Sequence, residues 1–252
     1  MKTVYLAWRD PGKRWFPVGK LTRDDSGRYS FVYLQGASEA NQHAGFLPIV
    51  SFPDFAETYE SAELFPLFAN RLLSDRRPEF EAFQSWLNLP PDQRDPLVLL
   101  ARSNGIRETD TFEVFGHPEP DSAGQYHVQC FVHGLQHREP EAIERAERLE
   151  PDEQLSIEAD PGNSADCLAI KTLTADDRPQ HIGFLPRYLN ADVRHIGIDS
   201  VRVAVERVNA RPTPLQFRVL VRLVAPWPDG FRPYSDPQFQ PFQRAFQEAR
   251  LA

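Results

Sequence analysis

Residues 155–173 read LSIEADPGNSADCLAIKTL. Leu155, Ile157 and Ala159 alternate with polar residues, and a period of two places them on one face of a strand. Asp160-Pro161-Gly162-Asn163 is turn chemistry, and Leu168 to Leu173 reads as the returning strand. Outward from this hairpin the same period continues. A strand runs from about His127 to Gly134, and Ile182-Gly183-Phe184-Leu185 forms a further short one. Val201, Val203 and Val205 alternate strictly, as do Phe217, Val219, Val221 and Leu223. Residues 127–225 therefore predict a closed or nearly closed β-structure with short helices near 140–149 and 188–196. In the first helix Glu141/Arg145 and Glu144/Arg148 have the spacing of surface ion pairs, the signature of a solvated face.

The preceding stretch is different. Val4, Leu6 and Trp8 alternate, then Phe16 and Val18, then Tyr29, Phe31 and Tyr33, which predicts an antiparallel meander. Residues 45–58 read as an irregular apolar loop. Helical spacing follows at Leu64, Leu67, Phe68 and Leu72, with Pro66 placed in a first turn, and again at Phe80, Phe83 and Leu87. Asp95-Pro96 reads as an N-cap with proline at the first helical position, Gly105 as the stop, and Phe112 to Phe115 as a strand. The fold class is α+β, mainly β. The expected domains are a small α+β module at 1–118, a linker at 119–126, a β-barrel at 127–225 and a Pro/aromatic strap at 226–252. The strap holds Pro226, Pro228, Pro233, Pro237 and Pro241 among Trp227, Phe231, Tyr234, Phe239 and Phe242, and is expected to pack as an extended segment on its own domains.

The 252 residues carry 28 Lys+Arg against 36 Asp+Glu, a formal charge of -8. A nucleic-acid binder ordinarily has a basic footprint, so any such contact here must be local. The two cysteines, Cys130 and Cys167, read as reduced thiols of a cytoplasmic protein. MKTVYLAWRDPGKRW has no apolar secretion core, and no apolar run is long enough to span a bilayer.

Neither GxxxxGK[ST], GxGxxG nor GxSxG occurs, which argues against an enzyme built on those motifs. His127, Cys130, His133 and His137 are residue types that suit zinc or another divalent metal. On a strand, however, His127 and His133 face opposite to Cys130, so ordinary strand and edge residues lead. Asp160 and Asp166 sit in a turn, where an aspartate serves first as a backbone acceptor.

Four ordered blocks carry a resemblance: Phe131-Val132-His133-Gly134-Leu135; Leu149 to Leu155 (LEPDEQL); Asp160 to Ile170 (DPGNSADCLAI); and His181 to Leu189 (HIGFLPRYL). Together they resemble a HIRAN domain over roughly residues 127–210. The resemblance implies an OB-like β-barrel that captures a single-stranded DNA 3′ end. It also implies a nucleic-acid site of His137, Asn163, Asp166, Phe184 and Arg187. Asp166 would accept a hydrogen bond from the terminal hydroxyl, His137 stands where the family has a first aromatic, and Arg187 could meet a phosphate. Ala165 stands where the family has its second aromatic, a departure that removes one stacking platform.

A fainter resemblance covers residues 1–116. Val4-Tyr5-Leu6, Val18-Gly19-Lys20-Leu21, Tyr29 to Tyr33, Leu64 to Leu73 (LFPLFANRLL) and Asp95 to Ala101 (DPLVLLA) are similar to the N-terminal subdomain of HipA-type toxin kinases, without the kinase core. It implies an antitoxin-like protein that binds such a kinase, through a surface near Trp8, Trp15 and Phe52, although aromatics at such spacing favour a core role. The leading expectation is a nucleic-acid-binding accessory protein of DNA metabolism or repair, recognising single-stranded DNA or a 3′ end, alone or beside a DNA-processing enzyme. The alternatives are the antitoxin-like regulator and a metal-dependent phosphoester hydrolase.

Overall fold

The computed structural model describes residues 1–243. Along the chain run β1 (Lys2–Arg9), β2 (Trp15–Arg23), β3 (Tyr29–Tyr33), α1 (Gln35–Ala44), β4 (Thr58–Ser61), α2 (Pro66–Ala69), α3 (Phe80–Trp86), α4 (Pro96–Ser103) and β5 (Phe112–Gly116). They continue as β6 (Gln125–Phe131), α5 (Pro140–Glu147), β7 (Gln154–Ala159), β8 (Ile170–Thr174), β9 (His181–Phe184), α6 (Arg187–Ile196), β10 (Arg202–Val208) and β11 (Val219–Pro226). The fold is α+β and mainly β. No helix among the described residues is long and apolar enough to cross a membrane.

The chain forms two compact units. The first comprises Met1–Arg77, Arg94–His117 and, among the described residues, 234–243; the second comprises Pro78–Gln93 and Pro118–Pro233. Set beside the expected segments, residues 78–93 pack with the barrel and the strap is shared between the units.

In the first unit five antiparallel strands take the order β4-β3-β2-β1-β5. The alternating residues Val4, Leu6, Val18, Phe31 and Tyr33 are buried beneath Phe46, Phe52, Phe68, Leu97 and Leu100. Gly19 permits this packing, because a Cβ there would lie 2.4 Å from the Phe31 ring. Asp95 caps α4 as its sequence implies, with Oδ1 accepting from Leu97 N at 3.0 Å. Helix α1 had no apolar period to announce it. Strap residues 234–243 lie here, while 244–252 fall outside the described residues: Tyr234 and Phe239 pack edge-on against Tyr5, and Phe242 N donates to Tyr33 O at 2.9 Å.

In the second unit six antiparallel strands take the order β6-β11-β10-β7-β8-β9. Val203, Val205, Val221 and Leu223 point inward, as their alternation requires. The sheet curls until its two edges meet: His133, just past β6, exchanges two hydrogen bonds of 2.9 Å with Phe184 at the end of β9. Gly183 makes the closure possible. Its φ is +151°, and a Cβ there would sit 2.4 Å from His133 O. The result is an OB-like half-barrel. Helix α3 belongs to it, since Asn209 Nδ2 donates to Trp86 O at 2.8 Å and Phe83 packs on Phe217. The first part of the strap packs here as well, with Trp227 and Phe231 against Tyr126.

Arg145 on α5 does not make the helical pair expected with Glu141. It donates instead to Asp176 at 2.8 and 2.9 Å and to Glu153. Two carboxylates from other elements outweigh one flexible neighbour on the same helix, and they hold the guanidinium charged well beyond its ordinary range.

Candidate nucleic-acid interface

The turn between β7 and β8 is held by its own side chains. Asp160 N donates to Ala169 O at 2.8 Å, closing the loop. Asn163 Oδ1 accepts from Ala165 N at 3.0 Å and Asp166 N at 3.2 Å, and its Nδ2 reaches Asp160 Oδ2 at 3.4 Å. Asp166 Oδ1 accepts from Leu168 N at 2.9 Å. These short polar side chains replace the backbone partners that an irregular turn lacks.

Helix α6 then braces the turn. Arg187, Asn190 and Arg194 are three and four residues apart and so share one helix face. Asn190 Nδ2 donates to Asp166 Oδ2 at 2.9 Å, Arg187 Nε lies 3.5 Å from the same oxygen, and Arg194 Nε donates to Leu168 O at 3.0 Å. Asp166 is thus both a turn acceptor and an ion-pair partner. Its side chain is 14% exposed, and Oδ1, which accepts one hydrogen bond from Leu168 N, keeps a second lone pair.

On the other flank, Lys171 on β8 stands opposite both Glu158 and Phe184 and lies 3.1 Å from Asp160 Oδ1. That ammonium holds the Asp160 carboxyl below the usual carboxylate range. Phe184 is half-buried: the His181 ring meets it edge-on at 4.8 Å and the Arg138 guanidinium lies 5.5 Å from its centroid. Arg138 Nη1 lies 2.9 Å from His181 Nδ1, and His181 Nε2 lies 2.9 Å from Gly183 O. A guanidinium can only donate, so Nδ1 is the acceptor and Nε2 carries the proton. Burial, helped by Arg138, pushes the imidazole below its ordinary pKa and keeps it neutral.

Contacts therefore run continuously from Phe184 through Lys171, Asp160, Asn163 and Asp166 to Arg187. His137 lies outside this chain of contacts, exposed in a 3-10 turn at Leu135–His137, with Nε2 3.4 Å from Gln136 Nε2. Ala165 is exposed and offers no ring. Sequence reasoning passed over Arg138, Lys171, His181 and Asn190. Only the spacing Arg187-x-x-Asn190-x-x-x-Arg194 could have indicated a helix face turned to the loop.

The candidate metal donors do not converge. His127 Nδ1 lies 3.9 Å from Asp121, Cys130 is buried, the His133 backbone bridges Phe184, and His137 is exposed. No group of three or more His, Cys, Asp or Glu side chains suited to a metal ion occurs among the described residues. In the first unit Phe52 is fully buried and stacked on Phe31 at 4.1 Å, and Trp8 packs on the core. Trp15 is half-buried, with Nε1 donating to Glu113 at 3.2 Å.

No protein-family profile matches the chain, and no curated protein matches it. Two solved structures are similar to part of it. The HIRAN domain of human HLTF is 18% identical with a TM-score of 0.30, covering 39% of this chain and 74% of that one. A protein from Lactobacillus plantarum is 18% identical with a TM-score of 0.30, covering 40% of this chain and 97% of that one.

Proposed function

We propose that the half-barrel binds single-stranded DNA, with preference for a 3′ end, as an accessory factor in DNA metabolism or repair. One observation carries the reading. Two of the four sequence blocks, Asp160 to Ile170 and His181 to Leu189, are joined by the contacts of Asp166 with Arg187 and with Asn190, the residue that follows the second block. Asp166 would take the terminal hydroxyl on its remaining acceptor capacity, Arg187 a phosphate, and Phe184 or His137 the stacking role. Stacking contributes about 1–3 kcal/mol per base, so the alanine at 165 predicts weaker capture than a two-aromatic site would give. With a formal charge of -8, binding is local and falls steeply with salt.

The test is fluorescence anisotropy with a short single strand ending in a 3′-hydroxyl or a 3′-phosphate, at low and moderate salt. Binding that prefers the hydroxyl and is lost in Asp166→Ala supports the reading; no binding even at low salt refutes it.

A second reading, an antitoxin-like partner of a HipA-type kinase, is favoured by Leu47 and Val50, which project from the loop after α1 with exposures of 73% and 97%. Co-elution of the chain with a purified kinase of that type, abolished by Leu47→Asp with Val50→Asp, would support it.

A further inference from the structure

We infer that Arg138 is an anion-binding residue of this interface, placed to hold a phosphodiester phosphate beside Phe184. The inference rests on the nucleic-acid reading for its ligand and adds a residue that the sequence resemblance does not supply.

Lys171 has Asp160 and Arg187 has Asp166, but Arg138 has no carboxylate partner among the described residues. Its guanidinium makes one hydrogen bond, to His181 Nδ1, while its Nε is buried and has no acceptor. A partly buried guanidinium without a counter-anion is left under-compensated, and it gains most from a ligand that brings negative charge and acceptor oxygens. Phosphate fits, because the planar fork of arginine matches its oxygens in pairs.

The surroundings hold the group ready. The Phe184 ring supports the guanidinium at 5.5 Å. His181 is fixed by Gly183 O in the tautomer that presents a bare Nδ1, so it positions Arg138 without competing for the anion. Phe184 stands opposite Lys171, so a base stacked near the ring would place its phosphate between two cations on adjoining elements. Phosphate contacts of this kind set position and affinity without reading sequence.

The experiment compares the full-length chain with Arg138→Gln and Arg138→Lys, all shown by thermal melting to be folded. In anisotropy with a labelled single strand, the glutamine variant should bind roughly tenfold more weakly, the size of one lost charged hydrogen bond. Its slope of log affinity on log salt should become shallower by about 0.7, the value for one phosphate contact on a single strand. The lysine variant should keep the slope and lose part of the affinity. If the wild type binds and Arg138→Gln matches it in affinity and slope, the inference is overturned while the nucleic-acid reading stands. If no single strand binds, titration of the wild type with inorganic phosphate, followed at the Arg138 Nε–H resonance, decides the matter. A saturating shift there, absent in a His181→Leu control that loses the positioning contact, keeps Arg138 as an anion site although the nucleic-acid reading has failed. No shift overturns it.

Discussion

Gly183→Ala is the substitution whose effect can be worked most fully from the geometry. At this position φ is +151°, a region that L side chains rarely adopt, and the new Cβ would lie 2.4 Å from His133 O and 2.6 Å from Val132 Cγ1. The backbone strain costs about 1–3 kcal/mol. Relieving the overlap by separating His133 from Phe184 would loosen two 2.9 Å hydrogen bonds, each worth about 1 kcal/mol. The expected loss is therefore about 2–5 kcal/mol for the half-barrel. Gly124→Ala is the control: its φ is +71° with nothing within 4 Å of the added Cβ, so it should cost only about 1 kcal/mol. Hydrogen exchange read at His133 N and Phe184 N, beside urea unfolding, separates the local from the global effect. Fast exchange at those two amides in Gly183→Ala, with Gly124→Ala like the wild type, is expected. A Gly183→Ala protein within about 0.5 kcal/mol of the wild type would refute the argument that this glycine closes the barrel.

Asp166→Ala should destabilise the second unit by about 2 kcal/mol, because it leaves the buried Asn190 amide without its acceptor; the shift in urea midpoint measures it. Since His181 is held neutral by burial and by Arg138, the unfolded chain binds more protons as pH drops below about 6.5. Stability should thus be complete above that pH and decline as pH falls through the lowered native value, a slope that His181→Gln flattens in melts across pH 4–8. Arg145→Met should cost about 1 kcal/mol through loss of Asp176 and Glu153, whereas exposed Arg148→Ala should change the melting temperature negligibly.

Strand identity was legible because Val201, Val203 and Val205, and Val219, Val221 and Leu223, alternate along the chain, and all six are buried; Ala204 and Leu220 between them are buried as well. The start of α4 was legible through a local mechanism, the Asp95 cap. Helix α1 was not, because its buried face is Gly36, Ala37, Ser38 and Ala40, small residues that carry no hydrophobic period. A Cβ at Gly36 would lie 2.2 Å from Pro17 O, so close approach rather than apolar bulk buries this helix. The packing of α3 in the barrel unit was equally hidden, since Phe80, Phe83 and Leu87 announce an apolar face but not what covers it.

Within the site, Asn163 and Asp166 were readable as turn acceptors from their residue types. The second task of Asp166, the contact with Asn190 and Arg187 more than 20 residues away, is set by the barrel. Arg138 was invisible because a cation beside a polar helix looks solvated in sequence; only its unpartnered Nε and its neutral histidine mark it as different.

Single-strand binding at the β7–β8 turn is read by an amide chemical-shift titration of the full-length chain with a short single strand ending in a 3′-hydroxyl. Saturating shifts confined to Asp166, Leu168, Lys171, Phe184 and Arg187 and their neighbours are expected. Saturating shifts centred elsewhere, for instance on the sheet face of Gln154, Arg202 and Arg222, or no shifts at all, would contradict binding at this turn.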